Sequence, residues 1–319
     1  MKKNYPKKAI FSFIIVLLTM PLGHALMILM EHFMSDTVLH FSAFFMGLAG
    51  LLIVIAGVFV KGNTKQTIFG LGGGLLFWTG WVEFLFAYYA ARYGVQCDLT
   101  GSGIVETATT YINGVGVEHT SLINGMDISE YTRAELKEIR GSRPEYLILP
   151  ATFGMWMMFM VLYLFCARTG CNFLNWMQKK LGIIDRVELR PMANHASIVT
   201  FIELNLMLWA LYLLLMFCYD PVFLGSSHPV TYFVAAACLI GSIFMFRKML
   251  HIPSWGRNIR MAIATVIVFW TFVEVVARNG LLRELWVDPL NNIGFMTVIL
   301  VAFIVLPAIL FVRSRKSNE

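Results

Sequence analysis

The chain has 319 residues, of which 58% are hydrophobic and only 14% charged, and its mean hydropathy is +0.70. Soluble domains carry about 45–50% apolar and about 25% charged residues, so this composition excludes an ordinary soluble globule, a disordered chain and a disulfide scaffold. The formal charge of +6 does not indicate nucleic acid, because nearly all Lys and Arg lie in short segments between apolar runs, the pattern that orients a membrane protein.

The apolar runs are long enough to cross a hydrocarbon core of about 30 Å. In chain order they predict eight helices, Ala9–Met34, Leu39–Val60, Gln66–Ala91, Tyr146–Ala167, His195–Tyr219, Val230–Leu250, Asn258–Ala277 and Ile293–Val312. The expected fold class is therefore all-α, a polytopic integral membrane protein. Residues 1–92 hold helices 1–3, 93–145 an extracytoplasmic insert, 146–167 helix 4, 168–194 an interfacial segment and 195–319 helices 5–8. The basic start Met1–Lys8 and Gly23-His24-Ala25 loosely resemble a cleavable leader. The apolar run continues through Leu26–Met34, so it is read as a retained first helix.

With the N-terminus inside, 18 Lys and Arg lie on the inner side and 7 on the outer. That asymmetry predicts an inner (plasma) membrane protein with both termini cytoplasmic. The insert has eight acidic against four basic residues, and Thr132–Glu135 reads as a capping box opening a short helix that Gly141 closes. It could serve as a lid or a partner-docking surface, or be a compact decoration. Asn172–Arg190 combines Phe173, Leu174, Trp176, Met177 and Leu181 with Lys179, Lys180 and Arg186, which suits a helix lying in the inner interface.

A weak repeat links span 3 to span 7. Trp78-Thr79, Val82-Glu83 and Ala91-Arg92-x-Gly94 are matched by Trp270-Thr271, Val273-Glu274 and Ala277-Arg278-x-Gly280. An even number of spans separates them, so two four-helix halves would be related by an axis along the membrane normal. The five Cys residues show no CxxC pair or metal-ligand spacing. The glycines Gly70, Gly72, Gly73 and Gly74 suit close helix approach; they follow no strand, so a nucleotide loop is rejected.

Ionisable residues within spans are costly and normally face a partner. Those identified are His24, Glu31, His32, His40, Glu83, His195, Glu203 and Glu274. At 1.5 Å per residue, His24 lies about 15 Å and Glu83 about 13–14 Å below the outer end, so the two can meet near the midplane. Glu31 shares a helix face with His24, and His32 and His40 flank the turn between spans 1 and 2. Imidazole and carboxylate together are typical transition-metal ligands. His24, Glu31, His32, His40 and Glu83 are thus candidate ligands for Fe, Cu or Zn, with His24 and Glu83 as candidate catalytic residues. The alternative is a packing hydrogen bond between His24 and Glu83, with His32 and His40 as headgroup-level residues. Glu203 counts to the inner half, and Glu274 has Arg278 one turn away, the spacing of an ion pair.

Two functions from different classes follow. One is a metal-dependent membrane enzyme acting on a lipid, a quinone or a small apolar substrate through the His/Glu column. The other is a secondary transporter coupled to protons or a metal ion through a relay of Glu83, Glu203 and Glu274. A third reading is a non-catalytic membrane subunit that docks a partner through its insert.

Overall fold

The structure, a computed structural model, describes residues 5–85, 105–112, 115–123, 126–127, 152–186, 189–191, 195–219, 224–225, 227–282, 285–287 and 289–316. The chain divides into two compact units, Met1–Trp81 with Gly154–Glu319, and Val82–Phe153.

The first unit is helical. Its α-helices are α1 (Tyr5–Phe33), α2 (Asp36–Phe59), α3 (Asn63–Phe77), α4 (Phe153–Cys166, which begins one residue before the unit boundary), α5 (Asn172–Lys180), α6 (Ala196–Tyr219), α7 (Pro229–Met249), α8 (Trp255–Arg278) and α9 (Ile293–Lys316). Among the described residues, five helices are long and apolar enough to cross a membrane: α1, Thr37–Phe59 of α2, α6, α7 and α8. Phe153–Cys166 and the stretch Ile293–Ile309 are apolar over shorter lengths. The span expected over Gln66–Ala91 begins as α3 and continues into a π-helical turn, Trp78–Glu83, which divides it. The remainder of that expected span, residues 86–91, lies outside the described residues.

Large apolar side chains cover the outer surface, including Phe41, Phe45 and Phe59 on α2, Phe233 and Phe244 on α7, and Val298 and Ile304 on α9. Soluble monomers do not expose contiguous apolar faces of this extent. A lipid bilayer is the environment that suits them.

Helices α6 and α8 are the most buried, and α3 packs against α2, α6 and α8. Gly62, at φ 105°, turns the chain from α2 into α3, a conformation that costs glycine little. Beyond that turn the two helices approach backbone to backbone: a Cβ on Gly50 would sit 2.5 Å from the carbonyl oxygen of Gly73, and one on Gly73 would sit 2.6 Å from that of Gly50. Gly70 meets α6 in the same way, at the Ser197 carbonyl. Small residues permit such contacts in lipid, where packing and hydrogen bonds replace hydrophobic collapse. Buried hydroxyls are absorbed by their own helices, as when Thr200 and Thr265 donate to the carbonyls four residues back.

Helix α5 packs Leu174 and Gln178 inward, while Trp176, Lys179, Lys180 and Leu181 stay exposed. Its two faces thus differ in polarity. Gln178 Nε2 donates to the carbonyls of Tyr163, Leu164 and Ala167 at 3.2, 3.1 and 2.9 Å. Two of these, Tyr163 and Leu164, are carbonyls of the last turn of α4, which have no partners within the helix. Gln178→Leu should keep the shape but orphan those oxygens, costing about 1–3 kcal/mol; a lowered melting temperature of the detergent-purified protein would register it.

The second unit contains an antiparallel sheet, β1 (Val105–Ile112), β2 (Val115–Ile123) and β3 (Met126–Asp127), in the order β1-β2-β3 with an irregularity between Glu106 and Thr107. Strands in the insert were not anticipated. The sequence nevertheless signals them, because Asn113-Gly114 and Asn124-Gly125 are hairpin dipeptides between β-branched runs. The short helix expected at Thr132–Gly141 lies outside the described residues.

Candidate functional site

Three helices begin at the same end of the helical unit. Gln66 ties α3 to α6 and to the end of α2: its Oε1 accepts from Ala196 N at the start of α6, and its Nε2 donates to Val60 O at 2.9 Å. The first turn of α8 lies against that of α3, since a Cβ on Gly256 would strike Asn63 Oδ1. Asn258 secures α8 by donating to Met249 O and Ile252 O, each at 3.2 Å.

Within this frame Glu203 is completely buried. Its Oε1 accepts from Asn172 Nδ2 at 2.8 Å, and its Oε2 has no hydrogen-bond partner among the described residues. Glu203 lies seven residues into α6, about 10 Å along the helix. Arg260, five residues into α8, interacts with the carboxylate electrostatically. Its Nη1 donates to Thr67 Oγ1 at 3.0 Å and Asn63 Oδ1 at 3.4 Å. A carboxylate and a guanidinium thus share one end of the bundle, held by amides and a hydroxyl. Such an arrangement can bind or release a proton, or bridge to a charged ligand.

Cys171, at the start of α5, is fully buried beside this cluster. Burial, and then the nearby Glu203 carboxylate, push its thiol well above the ordinary value. The thiolate is the reactive form, so Cys171 should resist maleimide in the folded protein and react once the protein is denatured, which mass spectrometry of the labelled chain would show.

Of the residues singled out from sequence, Glu203 is the one this cluster contains. Glu31 on α1 is half-buried, and His32 and His40 are exposed, His32 edge-on to Phe33 at 4.9 Å. The side chain of His24 lies outside the described residues, and Glu83 ends the π-helical turn as part of the second unit. Among the described residues no three His, Cys, Asp or Glu side chains group as a metal site. Glu274 is half-buried, and Arg278 sits over the Tyr219 ring at 4.2 Å, a cation–π contact that sequence spacing did not suggest. Sequence reading also missed Asn172, Thr67, Asn63 and above all Arg260. Its position two residues inside the expected span Asn258–Ala277 was the available signal.

No family model, curated protein or solved structure matches this chain.

Proposed function

We propose that this helical membrane protein is a secondary transporter coupled to a proton or another small cation, with Glu203 carrying the coupling charge. The observation that carries the reading is a fully buried carboxylate in an apolar helix with one oxygen unpartnered among the described residues. A group so placed is expensive in lipid and is retained where its charge state changes.

An internal duplication supports the reading. Gln66 Nε2 donates to Val60 O and Asn258 Nδ2 to Ile252 O; residues 66 and 258, like 60 and 252, are 192 apart. The first residues of α3 and α8, Asn63 and Trp255, have the same spacing, as do Trp78 and Trp270. Glu83 and Glu274 are 191 apart, and the π-helical turn, which accommodates one extra residue, falls where the spacing changes. Packing follows the same exchange: α3 lies on α2 and α6, while α8 lies on α7 and α1. Met160 and Leu164 of α4 pack with Leu206 of α6, as Met296 and Ile299 of α9 pack with Ala25 of α1. The reading takes α1–α4 and α6–α9 as parallel repeats, an architecture used by transporters. Buried Ser12 and Val16 of α1 correspond to Thr200 and Leu204 of α6 at a spacing of 188, which matches Ile15 to Glu203. Arg260 corresponds to Ile68 at the spacing of 192. On this reading the charged pair belongs to one half of the repeat.

The test is proton flux. Proteoliposomes holding the purified chain and a trapped pH dye should show proton movement when a gradient of small ions and solutes is imposed, and Glu203→Gln should remove it. Flux indifferent to Glu203→Gln refutes the assignment. The proposed orientation, both termini cytoplasmic in an inner membrane, predicts that a Cys at position 113 reacts with an impermeant reagent in intact cells while one at 63 does not.

A second reading is a metal-dependent enzyme using His24, Glu31, His32, His40 and Glu83 with Fe, Cu or Zn on an apolar substrate. The π-helical turn ending at Glu83 favours it, because such turns are frequent at functional sites. Elemental analysis of purified protein decides it: a stoichiometric metal lost in His24→Ala and Glu83→Ala supports the enzyme, and metal-free protein removes it.

A further inference from the structure

The geometry points to a substrate class. We propose that the Glu203–Arg260 pair binds a small oxyanion, a carboxylate or phosphate, together with one proton. The inference rests on the coupling role of Glu203 and adds what the proton is coupled to.

The two groups are not joined by a hydrogen bond among the described residues. Glu203 Oε2 is unpartnered, and Arg260 spends Nη1 on Thr67 and Asn63. A guanidinium has five N–H donors, so Nε and Nη2 of Arg260 keep three without an acceptor among the described residues. That edge matches an oxyanion, which accepts two parallel hydrogen bonds. While Glu203 is ionised it offsets the charge of Arg260 and disfavours a second anion. A proton from solution added to Oε2 removes that charge and leaves Arg260 uncompensated. The oxyanion then restores neutrality, so one proton and one negative charge enter together and leave together.

The surrounding charges favour this occupant over a metal cation. Lys65 lies on α3, Arg257 on α8 and His195 just before α6, while α4 ends on Cys166 and α5 begins after Cys171. Glu203 is the only acid on α3, α5 and α6, and the acid of α8, Glu274, lies at its opposite end. Asn172 offers Glu203 its amide nitrogen rather than its oxygen. A hard cation needs about six oxygen ligands, and this donor set instead faces the carboxylate with N–H groups. The helix starts of α3 and α8 add backbone N–H groups with no side-chain cap at Gly62 or Ser254.

Calorimetry of the purified full chain with acetate, and separately with inorganic phosphate, tests this. Repeating each titration in buffers of different ionisation enthalpy counts the protons taken up. At an alkaline pH, where Glu203 begins ionised, the wild type should take up close to one proton per bound anion, with the stronger of the two probes naming the class. Glu203→Gln, a mimic of the protonated acid, should still bind with no proton uptake. Arg260→Lys keeps the charge but loses the fork, and should bind about 10- to 100-fold more weakly. The double variant Glu203→Gln/Arg260→Gln, free of any unpaired charge, should be folded and bind neither probe. Binding without proton uptake in the wild type, equal binding by the double variant, or no binding of either probe overturns the proposal. Proton flux that needs Glu203 in a protein that binds neither anion would leave the coupling reading standing and remove this one.

Discussion

Gly73→Val should yield little folded protein, whereas Gly72→Val should purify like the wild type. The two positions are adjacent on α3, so propensity changes equally at both. A Cβ at residue 72 meets nothing within 4 Å, while one at 73 lies 2.6 Å from the Gly50 carbonyl and 3.0 Å from the Val54 backbone nitrogen. Backbone atoms of α2 cannot rotate away as a side-chain tip can. The helices must separate, and α2 and α3 would lose their closest contact. Overpacking usually costs about 1–3 kcal/mol and more where rigid backbone is struck, and separation would also carry Asn63 and Thr67 away from Arg260. Size-exclusion chromatography and thermal melting in detergent measure the difference. Similar behaviour of the two variants would show that α2 and α3 do not approach at Gly50 and Gly73.

The same glycines show how much was legible beforehand. Their clustering in an apolar run announced close helix approach, because lipid gives packed interfaces to small residues. The apolar runs likewise located the helices: the expected Leu39–Val60 and Val230–Leu250 fall on α2 and α7 with ends differing by a few residues. The π-helical turn was less visible, since one extra residue leaves hydropathy unchanged and shows only when Trp78–Glu83 is laid beside Trp270–Glu274. The strands of the insert were signalled by two Asn-Gly pairs but were passed over in favour of its charge.

The site was half legible. Glu203 stood out because a carboxylate in an apolar span is rare. Its partners did not, for reasons of distance along the chain. Asn172 is 31 residues away on an interfacial helix, and Arg260 is nearer its helix start, where arginine is commonplace as an orienting charge. Only packing of α6 against α3 and α8 brings these groups together. Depth counting favoured the His24–Glu83 level near the midplane instead, because it ranks residues by distance from the surface and carries no information on which helices are neighbours.

Arg260→Gln should destabilise the protein more than Glu203→Gln does, and the double variant should be more stable than Arg260→Gln alone. Glu203→Gln removes a buried charge and keeps an oxygen where Asn172 donates, so the hydrogen bond of 2.8 Å survives. The fold should lose little, even though transport is lost. Arg260→Gln does the opposite: it leaves Glu203, fully buried, without the cation that offsets it. Breaking a fully buried pair costs about 3–5 kcal/mol, against near-neutral replacement of both partners, and the cost is smaller here because Arg260 is only partly buried. Thr67 and Asn63 are softer losses, since Thr67 Oγ1 also donates to Asn63 O at 2.9 Å. Adding Glu203→Gln to Arg260→Gln takes away the stranded charge, so the double variant should recover much of the loss. The resulting coupling, of about 1–3 kcal/mol, is read from melting or denaturant curves of the four proteins in one detergent. Additive losses would mean that Arg260 acts only on α3 through Thr67 and Asn63, and that the two charges are neighbours without being partners.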